Sequence, residues 1–296
     1  MVSYWRETVK NKHISVAGND KTMNVIRIND LNDDRLSFYI GYNEPSLLHI
    51  NEPGPGVFIA ETPMVILRVL DAGIRPLSFF VEERSIEREE VRSILARAKE
   101  CDVFTAPLDV INRITGFNLT RGVLGAFLRP ALRDPDELLA SARHVVLLED
   151  IVNPTNVGAI FRSAAALGAD LVLLTRASSD PYYRRAARVS MGTVFQIPWT
   201  YVPKECDPVK LLHAHDFNVI SMALVEGAIP VSDPVLQSHQ KTAVVFGSEG
   251  DGISAATLAA SDHVAIIPMH NGVDSLNVAA SSAVALYELF SRQQRI

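Results

Sequence analysis

The chain has 296 residues, 48% hydrophobic and 21% charged, with a formal net charge of −6. That length exceeds one ordinary core and suits two domains, and the acidic balance confines any nucleic-acid surface to a local patch. No run of about 18 apolar residues marks a membrane span, the N-terminal MVSYWRETVKNKHISVAG lacks a signal's apolar core, and Cys101 and Cys206 show no CxxC or zinc spacing, so a reducing cytoplasmic setting without metal is expected.

Residues 1–22 are expected to form a flexible tail. From Asn24 to Arg129 short apolar strands alternate with helical segments. Val57–Ala60, Leu77–Val81, Asp102–Thr105 and Val123–Leu128 read as strands. Thr62–Ala72, Glu87–Lys99 and Leu108–Ile114 read as helices, the first with Val65, Ile66, Val69 and Leu70 at helical spacing and Gly73 as its stop. RPALRDPDELLASARH, Arg129 to His144, carries prolines and many charges, which places a domain boundary near residue 135. The expected domains are 23–135 and 136–296.

The second half repeats the α/β pattern. Val145–Leu148, Leu171–Leu174, Val194–Ile197, Val219–Met222, Ala243–Phe246 and Val264–Ile267 read as strands, and Pro154–Leu167, Pro181–Val189 and Val209–His215 as helices. Several of these runs are apolar throughout, the pattern of parallel strands covered on both faces.

Four stretches carry chemistry. Asn153 to Arg162 follows a strand ending in Glu149-Asp150, on the ligand side of such a sheet. Asn153 and Thr155 can each cap the helix. At ~100° per residue Val157, Ile160, Phe161 and Ala164 share one face and Arg162 falls away from it, so the wheel alone makes Arg162 a solvated charge. Gly247 to Ser254 (GSEGDGIS) follows a buried strand; its glycines allow close backbone approach to a ligand, or simply make a turn with Ser254 as the next cap. Its order fits neither a dinucleotide fingerprint nor a P-loop. Ile266 to Leu289 runs from a strand end through a loop into an Ala/Ser-rich helix, with Ser275 as its cap and Leu276 and Asn277 as its first residues; a helix start of this kind offers free N–H groups. Tyr182-Tyr183-Arg184-Arg185-Ala186-Ala187-Arg188 places arginines and tyrosines together, either as a solvated face or as an RNA-facing patch.

Together the first three stretches resemble the three motifs of the SpoU/TrmH family of RNA ribose 2′-O-methyltransferases, of the SPOUT superfamily. Asn156 and Arg162 match the first motif, Gly247 and Glu249 the second, and IPMHNGVDSLNVAAS, with Ile267, Ser275, Leu276 and Asn277, the third. SMGTVFQIP, Ser190 to Pro198, looks like the segment between the first two motifs. The first half, through GVFIAETPMVILRVLDAG and FNLTRGVLGAF, is similar to a ribosomal-protein-like domain that often precedes this catalytic domain.

The resemblance implies a C-terminal α/β domain with a parallel sheet and a trefoil knot, a smaller N-terminal α/β RNA-binding domain, and a homodimer. It implies S-adenosylmethionine as cofactor, held by Gly247, Ile267, Leu276 and Met269. The implied catalytic set is Arg162, Asn156, Glu249, Ser275 and Asn277. RNA (rRNA or tRNA) is the implied substrate, with Arg184, Arg185, Arg188 and Arg121 as its contacts. A catalytically silent RNA-binding protein of the same fold is the alternative; a dehydrogenase is disfavoured by the missing fingerprint.

Overall fold

A computed structural model of the chain describes residues 12–14, 23–30, 32–98, 101–115 and 122–291. The chain divides into two compact units, Met1–Pro130 and Ala131–Ile296. Within the expected tail, Lys12–Ile14 forms β1, antiparallel to β2 (Met23–Arg27). The rest of residues 1–22, and Arg121, lie outside the described residues.

The first unit continues with α1 (Ser37–Ile40), α2 (Glu44–His49), β3 (Val57–Glu61), α3 (Pro63–Asp71), β4 (Pro76–Glu82), α4 (Glu89–Arg97), β5 (Asp102–Ala106), α5 (Leu108–Thr115) and β6 (Val123–Leu128). Its sheet has the order β1-β2-β5-β4-β6-β3. β2, β5 and β4 run parallel, and β6 is antiparallel to both β4 and β3. α3 is built as its sequence indicates. Pro63 opens it, Val65, Ile66 and Val69 are buried, and Gly73 follows its end at φ 71°.

The second unit holds α6 (Pro135–Ser141), β7 (His144–Leu148), α7 (Pro154–Ala166), β8 (Leu171–Leu174), α8 (Arg184–Val189), β9 (Trp199–Tyr201), α9 (Pro208–Ala214), β10 (Asn218–Met222), β11 (Ile229–Pro230), β12 (Thr242–Phe246), α10 (Ala255–Ala260), β13 (His263–Ile266) and α11 (Val278–Leu286). Its seven strands take the order β11-β13-β10-β12-β7-β8-β9, every pair parallel. Side chains alternate between the two faces of a strand. Val145, Leu147, Leu171, Leu173, Val219, Ala243 and Val245 therefore share a core with Leu138, Leu139, Val209 and Leu212 of α6 and α9. α7 buries Val157, Ile160, Phe161 and Ala164, and both α8 and α11 pack on it. Each such Val, Ile or Phe side chain contributes roughly 1.5–3 kcal/mol. Burial on both faces explains why these strands read as unbroken apolar runs.

Two local expectations change. The stretch in which the sequence places the domain boundary contains α6. Asp134 caps it by accepting the N–H groups of Asp136 and Glu137, and Leu138 and Leu139 enter the second core, so the unit division falls after Pro130. Val194–Ile197 is not a strand. Thr193–Phe195 makes a 3-10 turn, with Val194 and Ile197 both buried; residues three apart share a face in that tighter winding. The strand follows it, as β9.

Gly158 lets α8 approach α7 closely. A Cβ there would lie 2.4 Å from the Ala186 carbonyl oxygen and 3.0 Å from Ala186 Cα of α8. Gly158→Ala is therefore expected to destabilise the protein by about 1–3 kcal/mol, read as a lower urea midpoint at unchanged slope. An unchanged midpoint would mean that α8 yields without cost.

No helix among the described residues is long and apolar enough to cross a membrane.

Candidate active site

The carboxyl edge of the parallel sheet carries a cleft of about 530 Å³, within the roughly 300–1,000 Å³ typical of small-molecule sites. Three segments at strand ends build most of it, with Leu258 of α10 added: Met222–Val225 at the end of β10, Phe246–Ile253 at the end of β12, and residues between Ala265 and Ser281 around β13 and the start of α11. The last two were legible as motifs. Met222–Val225 carries no motif, and its place at the end of an apolar strand is its one usable signal in the sequence.

Beyond β12 the chain turns back on itself. Ser248 and Gly252 exchange backbone hydrogen bonds of 3.1 and 3.2 Å, and Gly252 sits at φ 69°. A Cβ at Gly247 would stand 2.3 Å from the Gly252 carbonyl carbon and oxygen and 2.5 Å from the Ile253 nitrogen. The glycine at 247 thus serves the closure of its own loop, whereas Gly250 and Gly252 have open space around them. The loop presents Glu249 outward.

Asn277, not Ser275, caps α11. Its side-chain oxygen accepts the Ala279 N–H at 3.0 Å. The helix starts two residues later than the sequence suggests, because the chain from residue 267 to 276 takes no regular structure and Asn277 is the first side chain able to accept from the new helix. The Asn277 amide nitrogen donates to Glu249 Oε1 and, at 3.3 Å, to Asn156 Oδ1. Asn156 is buried in the first turn of α7, which Asn153 caps through the Thr155 N–H at 2.9 Å. One amide thereby ties together residues from all three motifs.

Gly247, Ile267, Leu276, Met269 and Ser275 line the cleft together with Glu249 and Asn277. Leu276, Ile267, Met269, Ile253 and Phe246 supply apolar walls; Glu249, Asp251 and Asp274 supply carboxylates, and among the described residues no Lys or Arg lines it. Such a cleft suits a ligand with an apolar or aromatic body and a cationic centre. Among the described residues, no cluster of His, Cys, Asp or Glu could hold a metal ion.

Other expected residues lie elsewhere. Arg162 is exposed on α7 and does not line the cleft, as its position on the wheel indicates. Arg185 and Arg188 are exposed on α8 and Arg184 is half-buried. Tyr182 faces inward and cannot stack on a base: it is buried, stacked on Phe195 at 5.0 Å and edge-on to Trp199 at 4.9 Å. Tyr182 lies two residues before this six-residue helix, on the side where Ala186 and Ala187 are buried.

Residues 143–287 match the model of the SpoU rRNA Methylase family. The chain is 35% identical over 260 residues, 88% of its length and 89% of the relative's, to an uncharacterized tRNA/rRNA methyltransferase of Mycobacterium tuberculosis. It is 29% identical over 71% of its length, and 86% of the relative's, to a 23S rRNA (guanosine-2′-O-)-methyltransferase, RlmB, of Acinetobacter baylyi. In fold it is similar to an AdoMet-bound rRNA methyltransferase from Sinorhizobium meliloti, with a TM-score of 0.76 and 23% identity over 92% of this chain and 99% of that one.

Proposed function

This chain belongs to the SpoU rRNA methylase family, and from that premise we propose that it transfers a methyl group from S-adenosylmethionine to a ribose 2′-hydroxyl of RNA. The observation that carries the reading is the Asn277 amide, which ties Glu249, on an acidic, apolar-walled cleft, to the buried Asn156 of α7. The relatives' names support RNA as substrate, rRNA first and tRNA second.

The cofactor, when bound, supplies an electrophilic methyl on a sulfonium. Gly247, Ile267, Met269 and Leu276 would hold it, with the apolar side chains excluding water. The cleft carboxylates complement its positive charge. Ser275 and Asn277 would fix the loops and orient the sugar, with Glu249 held in place by Asn277. Arg162 cannot act as a base, since a guanidinium keeps its proton. Its role is to stabilise the developing alkoxide and to fork onto the neighbouring phosphate; the proton leaves to a substrate phosphate or to water. Its exposure leaves it reachable by RNA. Arg184, Arg185 and Arg188 would extend the phosphate contacts, and the first unit would bind RNA as a separate domain.

The same reading includes a trefoil knot formed by the cleft loops and a homodimer through the second unit. Exposed Val284 and Tyr287 on and just beyond α11, three residues apart on one face, support the dimer. Sedimentation at micromolar concentration should give twice the chain mass.

The test of function is direct. The purified protein should bind S-adenosylmethionine by calorimetry. It should transfer a labelled methyl to RNA from cells lacking it, and nuclease digestion should return a 2′-O-methylnucleoside. A base-methylated product would overturn the ribose assignment. RNA binding without cofactor binding would establish the catalytically silent alternative.

A further inference from the structure

Glu149 plays no part in the mechanism above, yet it is placed beside the cleft loop. It follows β7 directly, and its backbone N–H extends the ladder by donating to the Phe246 carbonyl at 2.9 Å. Its side chain is 7% exposed. Oε1 accepts the backbone N–H of Ser254 at 3.0 Å, across 105 residues of sequence. Ser254 ends the Gly247–Ser254 loop and caps α10, its hydroxyl accepting the Thr257 N–H at 3.2 Å. Oε2 is buried and meets no hydrogen-bond partner among the described residues.

A buried carboxyl group is costly, and one neutral N–H offsets only part of that cost. A leucine would fill the same space without the penalty. A side chain kept for stability alone would have both oxygens satisfied. We infer that Glu149 is a positioning residue, which pins the far end of the Gly247–Ser254 loop through Ser254 and so sets where that loop holds Glu249 against Asn277 and the cleft. The near end needs no such anchor, because Gly247 leaves a paired strand and packs on the Gly252 backbone. The far end runs from Ile253 into a helix of only six residues, and Glu149 ties it to the sheet. The cofactor half of the inference rests on the function proposed above; the loop half stands without it.

The experiment compares wild type, Glu149→Leu and Glu149→Gln by three readouts: amide hydrogen exchange, calorimetry with S-adenosylmethionine, and thermal melting. Glu149→Leu should speed exchange of the Ser254 amide and of residues 247–253 and weaken cofactor binding about tenfold, while melting no lower than wild type. Glu149→Gln keeps a carbonyl oxygen for Ser254 and should restore both the exchange pattern and most of the affinity. Unchanged Ser254 exchange in Glu149→Leu would overturn the inference. So would a lowered melting temperature that accounts for the lost affinity, or an equal loss in Glu149→Gln. If wild type binds no S-adenosylmethionine, the proposed function fails, and the exchange data still decide whether Glu149 pins the loop.

Discussion

Replacing Arg162 with alanine is expected to slow methyl transfer about 10²–10³-fold, the usual loss when one preorganised charge at a developing oxyanion is removed. Cofactor affinity should not change, because Arg162 does not line the cleft. Nor should stability, because its side chain is exposed. An interaction made only in the transition state lowers kcat and kcat/KM together. Single-turnover rates and calorimetry on the same preparation separate the cases. Arg162→Lys keeps the positive charge and loses the planar fork, so it should recover only part of the rate. Full turnover in that variant would rule out a bidentate role. A matching fall in cofactor affinity in the alanine variant would move Arg162 from chemistry to cofactor binding.

The second large effect concerns Asn277, whose amide does three things at once. Its oxygen caps α11, and its nitrogen holds both Glu249 and Asn156. Asn277→Asp is close to isosteric and keeps the cap, but removes the donor and sets a new carboxylate against that of Glu249. Asn156 can turn its own amide to donate, so the loss falls on Glu249. A hydrogen bond to a charged group is worth about 1.5–3 kcal/mol, so cofactor affinity should fall roughly 10- to 150-fold, with repulsion adding to it. Melting should stay near wild type. Asn277→Ala should show the opposite balance: the lost cap costs about 1 kcal/mol of stability, but no new charge faces Glu249. Calorimetry and melting on both variants check this. If the aspartate variant bound the cofactor better than the alanine variant, the tie to Glu249 would not be what shapes the cleft.

These expectations draw unequally on sequence and on structure. The parallel strands of the second unit were legible because burial on both faces leaves an unbroken apolar run, as in Ala243–Phe246 and Leu171–Leu174. α7 was legible because Asn153, Pro154 and the 3.6-residue period act within a few residues of one another. The three motifs were legible only through their joint resemblance to a known family's pattern, since each by itself reads equally well as an ordinary turn, cap or solvated helix face. Local signals misled where two local solutions compete. Val194–Ile197 is short and apolar, which suits a strand or a tight turn equally, and packing chose the turn. Ser275 and Asn277 are both good caps, and the irregular path of the loop between β13 and α11 decided for Asn277.

By itself, then, the sequence determined the α/β class and most of the succession of parallel strands, both written in side-chain type and short-range period, while the candidate site residues were marked by resemblance to a family's motifs. Only the tertiary structure decided how they meet: that one amide joins Asn156 and Glu249 from 121 and 28 residues away, that Met222–Val225 closes the cleft, that Tyr182 turns inward, and that Glu149 reaches Ser254. Such contacts depend on strand order and on which faces are packed. No local pattern encodes them, because they join segments far apart in the chain, and the hydrogen bonds form only once the sheet has set those segments side by side.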